Sequence, residues 1–101
     1  METYDIHISP VAYRDIDEII ENLNTLSPAV AMRYNDLLID GIDSLAEFPN
    51  RCPPAHEPGL AARGYRFLVV RNYLVFYTVE GTTFTVHRLL DGRRDLTEEW
   101  Q

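Results

Sequence analysis

The amino-acid sequence predicts an α+β domain with the element order β-α-α-β-β-β, in one domain over residues 1–101. Three observations indicate this class. The chain opens on alternating polar and apolar residues, continues with two segments of helical periodicity, and then shows three closely spaced strand-like runs. We expect the N-terminal strand and the helical hairpin to pack on one face of a small, mainly antiparallel sheet and to leave its other face uncovered.

The N-terminal strand and the first helix are indicated by residues 3–23. Apolar and polar side chains alternate over residues 3–8, as they do in a half-buried strand. Ser9 can accept a hydrogen bond from a helix N–H that lacks a partner, and Pro10 suits the first helical position because it has no N–H. Apolar residues then recur on one helical stripe: Ile16, Ile19, Ile20 and Leu23.

A second helix is indicated by the same start signal at Ser27 and Pro28. Apolar residues recur behind it at spacings of three and four: Val30, Tyr34, Leu37, Leu38, Ile42, Leu45 and Phe48. This spacing predicts a helix of about 20 residues that runs to Phe48 and is stopped by Pro49. Because the join between the helices is so short, they should form an antiparallel hairpin.

The second half of the chain reads as a long connection followed by a meander. Residues 49–64 contain four prolines and two glycines, which predicts an irregular stretch. The strand candidates that follow are Tyr65–Val70, Tyr73–Glu80 and Thr83–Leu90. Two-residue joins separate them, and Asn72 and Gly81 are the residues expected to adopt the positive φ that such hairpins demand.

Composition excludes several classes of protein. The single cysteine, Cys52, cannot form an internal disulfide, so a cysteine-stapled secreted module is excluded. No apolar run approaches the length of a membrane span, and the N-terminus lacks the regions of a signal peptide, which predicts a cytoplasmic protein without membrane contact. His7, His56 and Cys52 share no metal-ligand spacing, and no glycine-rich phosphate loop occurs. We therefore expect no metal and no cofactor.

Charge is distributed unevenly along the chain. All nine basic residues are arginine, which removes mechanisms that need a lysine nucleophile, a Schiff base or a P-loop lysine. The net charge is −7, but residues 1–50 carry ten acids and two arginines, whereas residues 51–101 carry six acids and seven arginines. An acidic first half and a mildly basic second half suggest two faces with different partners.

A set of ordered motifs spans nearly the whole chain. In the second half they are Gly64-Tyr65-Arg66, residues 72–77, and residues 86–90 leading to Gly92-Arg93-Arg94-Asp95-Leu96. In the first half, Ile8-Ser9-Pro10, the acidic first helix and residues 42–49 agree with the same pattern. In this order and at this length, the chain resembles the RelE/ParE superfamily of bacterial type II toxin–antitoxin systems, and ParE-like members more than RelE-like ones.

This resemblance implies a growth-inhibiting toxin of a plasmid-stabilisation module. A cognate antitoxin would neutralise the toxin, and the toxin would bind operator DNA only through that antitoxin. RelE-like members cleave mRNA in the ribosomal A site, using a basic sheet and a general acid or base. ParE-like members poison DNA gyrase instead. The expected function is gyrase inhibition without enzymatic activity; a ribosome-dependent mRNA endonuclease and a non-toxic interaction module on the same fold are the alternatives.

Arginines are the candidate binding residues, since a guanidinium fork fits carboxylates and phosphates. Arg66 and Arg88, on predicted strands, are expected to bind the antitoxin. Arg71 at a turn, with Arg93 and Arg94 after the last strand, is expected to contact the target.

Proton-transfer groups are scarce near the C-terminal end, where ribonuclease-competent relatives often carry a tyrosine or histidine. The final tyrosine here is Tyr77, the final histidine is His87, and Asp91 stands where many relatives have histidine. A nuclease would have to use His87 as its base, with Arg66 and Arg88 stabilising charge. The scarcity favours the ParE-like branch.

Overall fold

The computed structural model describes residues 3–92, and it has the predicted class and the predicted order of the strands and the two long helices. The elements are β1 (Asp5–Ile8), α1 (Pro10–Leu26), α2 (Pro28–Ser44), a 3-10 turn (Pro49–Arg51), α3 (Pro58–Ala62), β2 (Arg66–Val70), β3 (Tyr73–Glu80) and β4 (Thr83–Asp91). The strands form one sheet in the order β1-β4-β3-β2. β1 pairs with β4 in parallel, and β2, β3 and β4 form an antiparallel meander.

Both helices begin at the predicted Ser-Pro signals. The Ser9 hydroxyl accepts a hydrogen bond from the Ala12 N–H at 3.1 Å, and the Ser27 hydroxyl accepts one from the Val30 N–H at 3.3 Å. Ser27 alone separates α1 from α2, and the two helices pack against each other as a hairpin. The described helices include none that is both long and apolar enough to cross a membrane.

The end of α2 differs from the prediction. The helix stops at Ser44 rather than at Phe48, because the Leu45 and Ala46 N–H groups donate to Ile42 and Asp43 in a tight turn. The Ala46 carbonyl then accepts the Tyr4 N–H at 2.8 Å. A long-range contact with the segment that enters β1 therefore ends the helix before its apolar periodicity does.

The helix-covered face of the sheet holds the main core. Strand residues whose side chains alternate onto this face are fully or almost fully buried: Val75, Tyr77, Phe84, Val86 and Leu89. They meet the apolar stripes of the helices, which supply Ala12, Ile16, Ile19, Leu38 and Ile42. Every second residue of the strands and every third or fourth residue of the helices is apolar on the facing sides. Together these residues form a single apolar layer between the sheet and the hairpin.

The opposite face is not left uncovered, as the sequence had suggested. The connection between α2 and β2 folds across part of it, and Ala55 and Leu60 pack there against Phe76 and Leu90 in a second buried cluster. Proline content predicted an irregular stretch here, but it contains the 3-10 turn and the five-residue α3. The expectation fails because the connection carries enough apolar side chain to cover this part of the sheet.

The same connection also pairs with the outer edge of β2. The Ala55 N–H donates to the Tyr65 carbonyl at 2.9 Å, and the Phe67 N–H donates to the Pro53 carbonyl at 3.2 Å. The connection therefore protects the first half of an edge strand that would otherwise expose its backbone groups.

Candidate functional site

We call the sheet face opposite the helices the second face, and the part of it that the connection does not cover the open face. A β-bulge in β4 shapes this open face. Arg88 lies opposite Phe76 and Val86 lies opposite Tyr77, so His87 is an extra residue without a partner in the β3 register. Phe76 belongs to the second cluster and Tyr77 to the main core. The register therefore places Arg88 on the side of Phe76, directly after His87.

His87 is held by its neighbours on this face. Its Nε2 is hydrogen-bonded with the Thr78 hydroxyl at 2.8 Å, and its ring packs on Tyr65 with the ring centres 4.9 Å apart. Burial lowers the pKa of His87, and the charge that His7 can carry lowers it further. The lowered pKa favours the uncharged imidazole, and one of its two ring nitrogens is already bonded.

Arg88 is tied to the first helix. Its Nε donates to Asp15 Oδ2 at 2.8 Å and its Nη2 donates to Asp15 Oδ1 at 3.2 Å, a bidentate pair. The Leu89 N–H also donates to Asp15 Oδ2, at 3.0 Å. β1 ends opposite Val86, so beyond that point β4 is no longer paired with β1. The Asp15 carboxylate accepts the Leu89 N–H there in place of a strand partner.

Arg66 lies elsewhere. Register places it opposite Tyr77, on the helix-covered side, and its Nη1 donates to the Cys52 carbonyl at 2.5 Å. The Tyr77 hydroxyl nearby donates to the Pro49 carbonyl. Burial, followed by a hydrogen bond with the Cys52 side chain, raises the pKa of Tyr77. Arg66 thus fastens the connection between α2 and β2, and the structure does not bring it together with His87 on one face.

Arg71 occupies the tip of the β2–β3 turn and is exposed. It carries a positive φ of 58°, so Arg71 and not Asn72 adopts the left-handed conformation at this turn, whereas Gly81 has the predicted positive φ of 61°. The Asn72 carbonyl instead accepts the Gly92 N–H at 2.8 Å, which holds the end of β4 against this turn. Arg93 and Arg94 lie outside the described residues.

Among residues 3–92, no three histidine, cysteine, aspartate or glutamate side chains converge as ligands for a metal ion. Cys52, the free cysteine, is buried beside the 3-10 turn. The geometry of the described residues offers two arginines held by hydrogen bonds, Arg66 and Arg88, and a half-buried histidine, His87.

Comparison with a protein-family model identifies the family of this chain. The model of the ParE toxin of type II toxin–antitoxin systems matches residues 6–96. The chain belongs to the ParE toxin family. As a member of it, this ParE-family chain is the toxin component of a type II toxin–antitoxin module.

Solved structures agree on the fold of this ParE-family chain. It is similar to a chain of the chromosomal ParDE system from P. aeruginosa, with a TM-score of 0.73 and 18% identity over 86% of this chain and 94% of that one. It is also similar to a chain of the RelBE2 toxin–antitoxin complex from Mycobacterium tuberculosis, with a TM-score of 0.62 and 18% identity over 90% and 93%. No curated protein sequence matches it.

Sequence reasoning missed the partners of the residues that it named. Asp15 was noted only as part of the acidic first helix, whereas the structure buries this carboxylate against Arg88. One signal was available, since Asp15 directly precedes Ile16 of the apolar stripe and so lies at the border of the buried side of α1. The bulge that places His87 and Arg88 side by side left no mark in the sequence.

Proposed function

We propose that this ParE-family toxin inhibits DNA gyrase by direct protein contact and does not cleave RNA. The supporting observation is the placement of the two arginines that a nuclease would need: Arg88 lies beside His87 but is bound by the Asp15 carboxylate, and Arg66 lies on the other face. His87 has Nε2 bonded to Thr78 on one face, whereas Arg66 points to the other face and holds the Cys52 carbonyl. Acid–base catalysis on a phosphodiester requires a proton-transfer group and cations at the same phosphate.

The proposed target surface is the end of the sheet at the β2–β3 turn. Arg71 is exposed there, and the hydrogen bond between Gly92 and Asn72 brings the residue that precedes Arg93 to the same place. Arg71, Arg93 and Arg94 therefore form the proposed contact with gyrase. Three guanidinium groups suit an acidic protein surface, because each can donate several hydrogen bonds to carboxylates.

The proposed partner that silences the toxin is a cognate antitoxin, as in the toxin–antitoxin systems that its structural neighbours come from. We assign Arg66 and Arg88 to acidic groups of that partner. Val69, which is 56% exposed on β2, offers such a partner an apolar anchor on the face of the strand opposite to Arg66. An exchange of intramolecular partners is implied, because both arginines are already bonded within the toxin.

The test is a supercoiling assay with purified gyrase, together with a ribosome-dependent mRNA cleavage assay. We expect the parent toxin to block supercoiling and to leave mRNA intact. His87→Gln should inhibit gyrase like the parent, whereas Arg71→Ala combined with Arg93→Ala and Arg94→Ala should lose inhibition by at least about tenfold. Arg63→Ala is the matched control, because Arg63 is another exposed arginine, at the end of α3.

The second candidate function is the ribosome-dependent endonuclease. One observation favours it: His87 lies on the open face beside Tyr65, and its lowered pKa favours the uncharged form, which can accept a proton. Cleaved mRNA that disappears with His87→Gln, with supercoiling unaffected, would select this function over gyrase inhibition. If cells that express the toxin grow at the rate of uninduced cells and neither assay is positive, the protein is a non-toxic interaction module.

A further inference from the structure

The outer edge of β1 leaves Ile6, in the middle of the strand, with both backbone groups directed away from the sheet. Asp5 donates its N–H to the Thr82 carbonyl at 2.8 Å, and Ser9 donates to the Val86 carbonyl at 3.0 Å. In a parallel ladder only alternate residues face the neighbouring strand, so Asp5, His7 and Ser9 pair with β4. The N–H and carbonyl of Ile6 therefore point outward.

Nothing in residues 3–92 pairs with β1 on that outward side, since the sheet order makes β1 a terminal strand. Its neighbour Tyr4 marks one end of the open stretch, because the Tyr4 N–H is bonded to Ala46. Asp5 and His7 are exposed, and Ile6 is 38% exposed. A strand edge with exposed side chains and outward backbone groups is a template for pairing with another strand.

The residue sequence of this edge is complementary to itself. If two copies of β1 run antiparallel about a two-fold axis at Ile6, the two Ile6 residues exchange both of their backbone hydrogen bonds. Asp5 of each copy then lies directly opposite His7 of the other copy. These two pairs are of the non-hydrogen-bonded type, in which side chains approach most closely.

Chemistry supports each of these cross-strand pairs. The Asp5 carboxylate accepts a hydrogen bond from an imidazole N–H whether His7 is neutral or protonated. Asp5 and His7 align with Thr83 and Thr85 and so project onto the second face, whereas Ile6 aligns with Phe84 on the helix-covered side. The Ile6 side chains would therefore meet each other on the apolar side and the charged pairs would lie on the polar one.

We propose that β1 is a homodimerisation edge, which joins the four-stranded sheets of two copies into one continuous sheet through Ile6 and the Asp5–His7 pairs. The edge lies at the opposite side of the sheet from β2, so dimerisation leaves Arg66 and Arg71 accessible. The inference goes beyond the proposed function, and its readout, the oligomeric state, is independent of gyrase. Because the paired stretch is short, we expect a weak dimer whose population rises with protein concentration.

Sedimentation equilibrium over a concentration series of the full chain tests the proposal, with Ile6→Pro as the decisive variant. Proline removes the outward N–H of Ile6 but takes no hydrogen bond from the β1–β4 ladder, and edge strands tolerate it at such positions. We expect Ile6→Pro to weaken the dimer at least about tenfold. Ile6→Val, which keeps the N–H, should dimerise within about threefold of the parent.

A charge exchange tests the register. His7→Asp places two carboxylates opposite each other and should weaken the dimer by several-fold, and Asp5→His should do the same with two imidazoles. The double variant Asp5→His with His7→Asp recreates both pairs and should restore dimerisation. Thermal unfolding of every variant confirms that it is folded. A parent that stays monomeric at all concentrations, or a dimer that Ile6→Pro leaves unchanged, overturns the proposal and leaves this edge to a strand of a different protein.

Discussion

The two faces of the sheet are covered by different means, and the difference separates stability from recognition. One face lies under two 17-residue helices, and Leu38, Ile42, Phe84 and Val86 there are almost completely inaccessible to solvent. The other face is covered only in part, by a connection that includes the five-residue α3. Beside that cover lie His87 and Thr78, which are half-buried and polar. The helix-covered face therefore carries the fold, and the second face is where polar groups remain accessible to a partner.

The largest expected effect is a loss of stability from a substitution in the helix-covered face. Leu38→Ala should lower the free energy of unfolding by about 3 to 5 kcal/mol, because Leu38 is fully buried between the hairpin and the sheet. Leu60→Ala, in the second cluster, is the matched contrast and should cost about 2 kcal/mol, because α3 can close over the lost side chain.

Urea denaturation measures both values, and amide hydrogen exchange locates the change. Leu60→Ala should speed exchange in residues 53–67 while β3 and β4 stay protected. Equal costs with uniform loss of protection would show that the two faces form a single cooperative unit and do not differ in stability.

A smaller effect is expected at the edge that joins the two faces. Asp15→Ala removes the bidentate partner of Arg88 and leaves the Leu89 N–H without its acceptor. We expect a loss of about 2 to 3 kcal/mol in the free energy of unfolding, since an arginine and a backbone donor lose their carboxylate.

The control is Asp17→Ala, an exposed carboxylate on the same helix, which should change stability by less than about 0.5 kcal/mol. A double-mutant cycle with Arg88→Ala isolates the pair itself. If Asp15→Ala and Asp17→Ala prove indistinguishable, the contact between α1 and β4 contributes nothing to the separation of the faces.

The smallest effect concerns the pH dependence of His87. Its pKa is lowered in the folded protein, so the unfolded chain binds more protons than the native one as the pH falls. The stability that His87 contributes is therefore present above its ordinary pKa of about 6.5 and is lost as the pH falls through the lowered value.

Replacement by glutamine sharpens this point. His87→Gln should flatten the dependence of the unfolding free energy on pH in that acidic window, and histidine ring signals in NMR titrations should show the lowered pKa in the parent directly. His56→Gln serves as control, because the ring of His56 is exposed and packs on Phe67. A His87 ring that titrates at or above its ordinary pKa contradicts the half-buried environment described for it.

The sequence by itself determined the features that depend on neighbours along the chain. Ser9 and Ser27 cap the helices because a hydroxyl and an N–H three residues apart need no other part of the protein. The pairing of β2, β3 and β4 is also local, because strands joined by only two residues can pair only antiparallel. The residue types of the candidate site, arginines and one histidine, were likewise visible in the sequence.

Only the tertiary structure decided where those residues lie. Asp15 and Arg88 are 73 positions apart, the bulge at His87 depends on the register with β3, and Arg66 is oriented by a carbonyl in a distant connection. The parallel placement of β1 and the early end of α2 also depend on contacts that the helices bring together. Such contacts are set by the packing of the whole chain, and no local pattern of residues encodes them because their partners are far away in sequence.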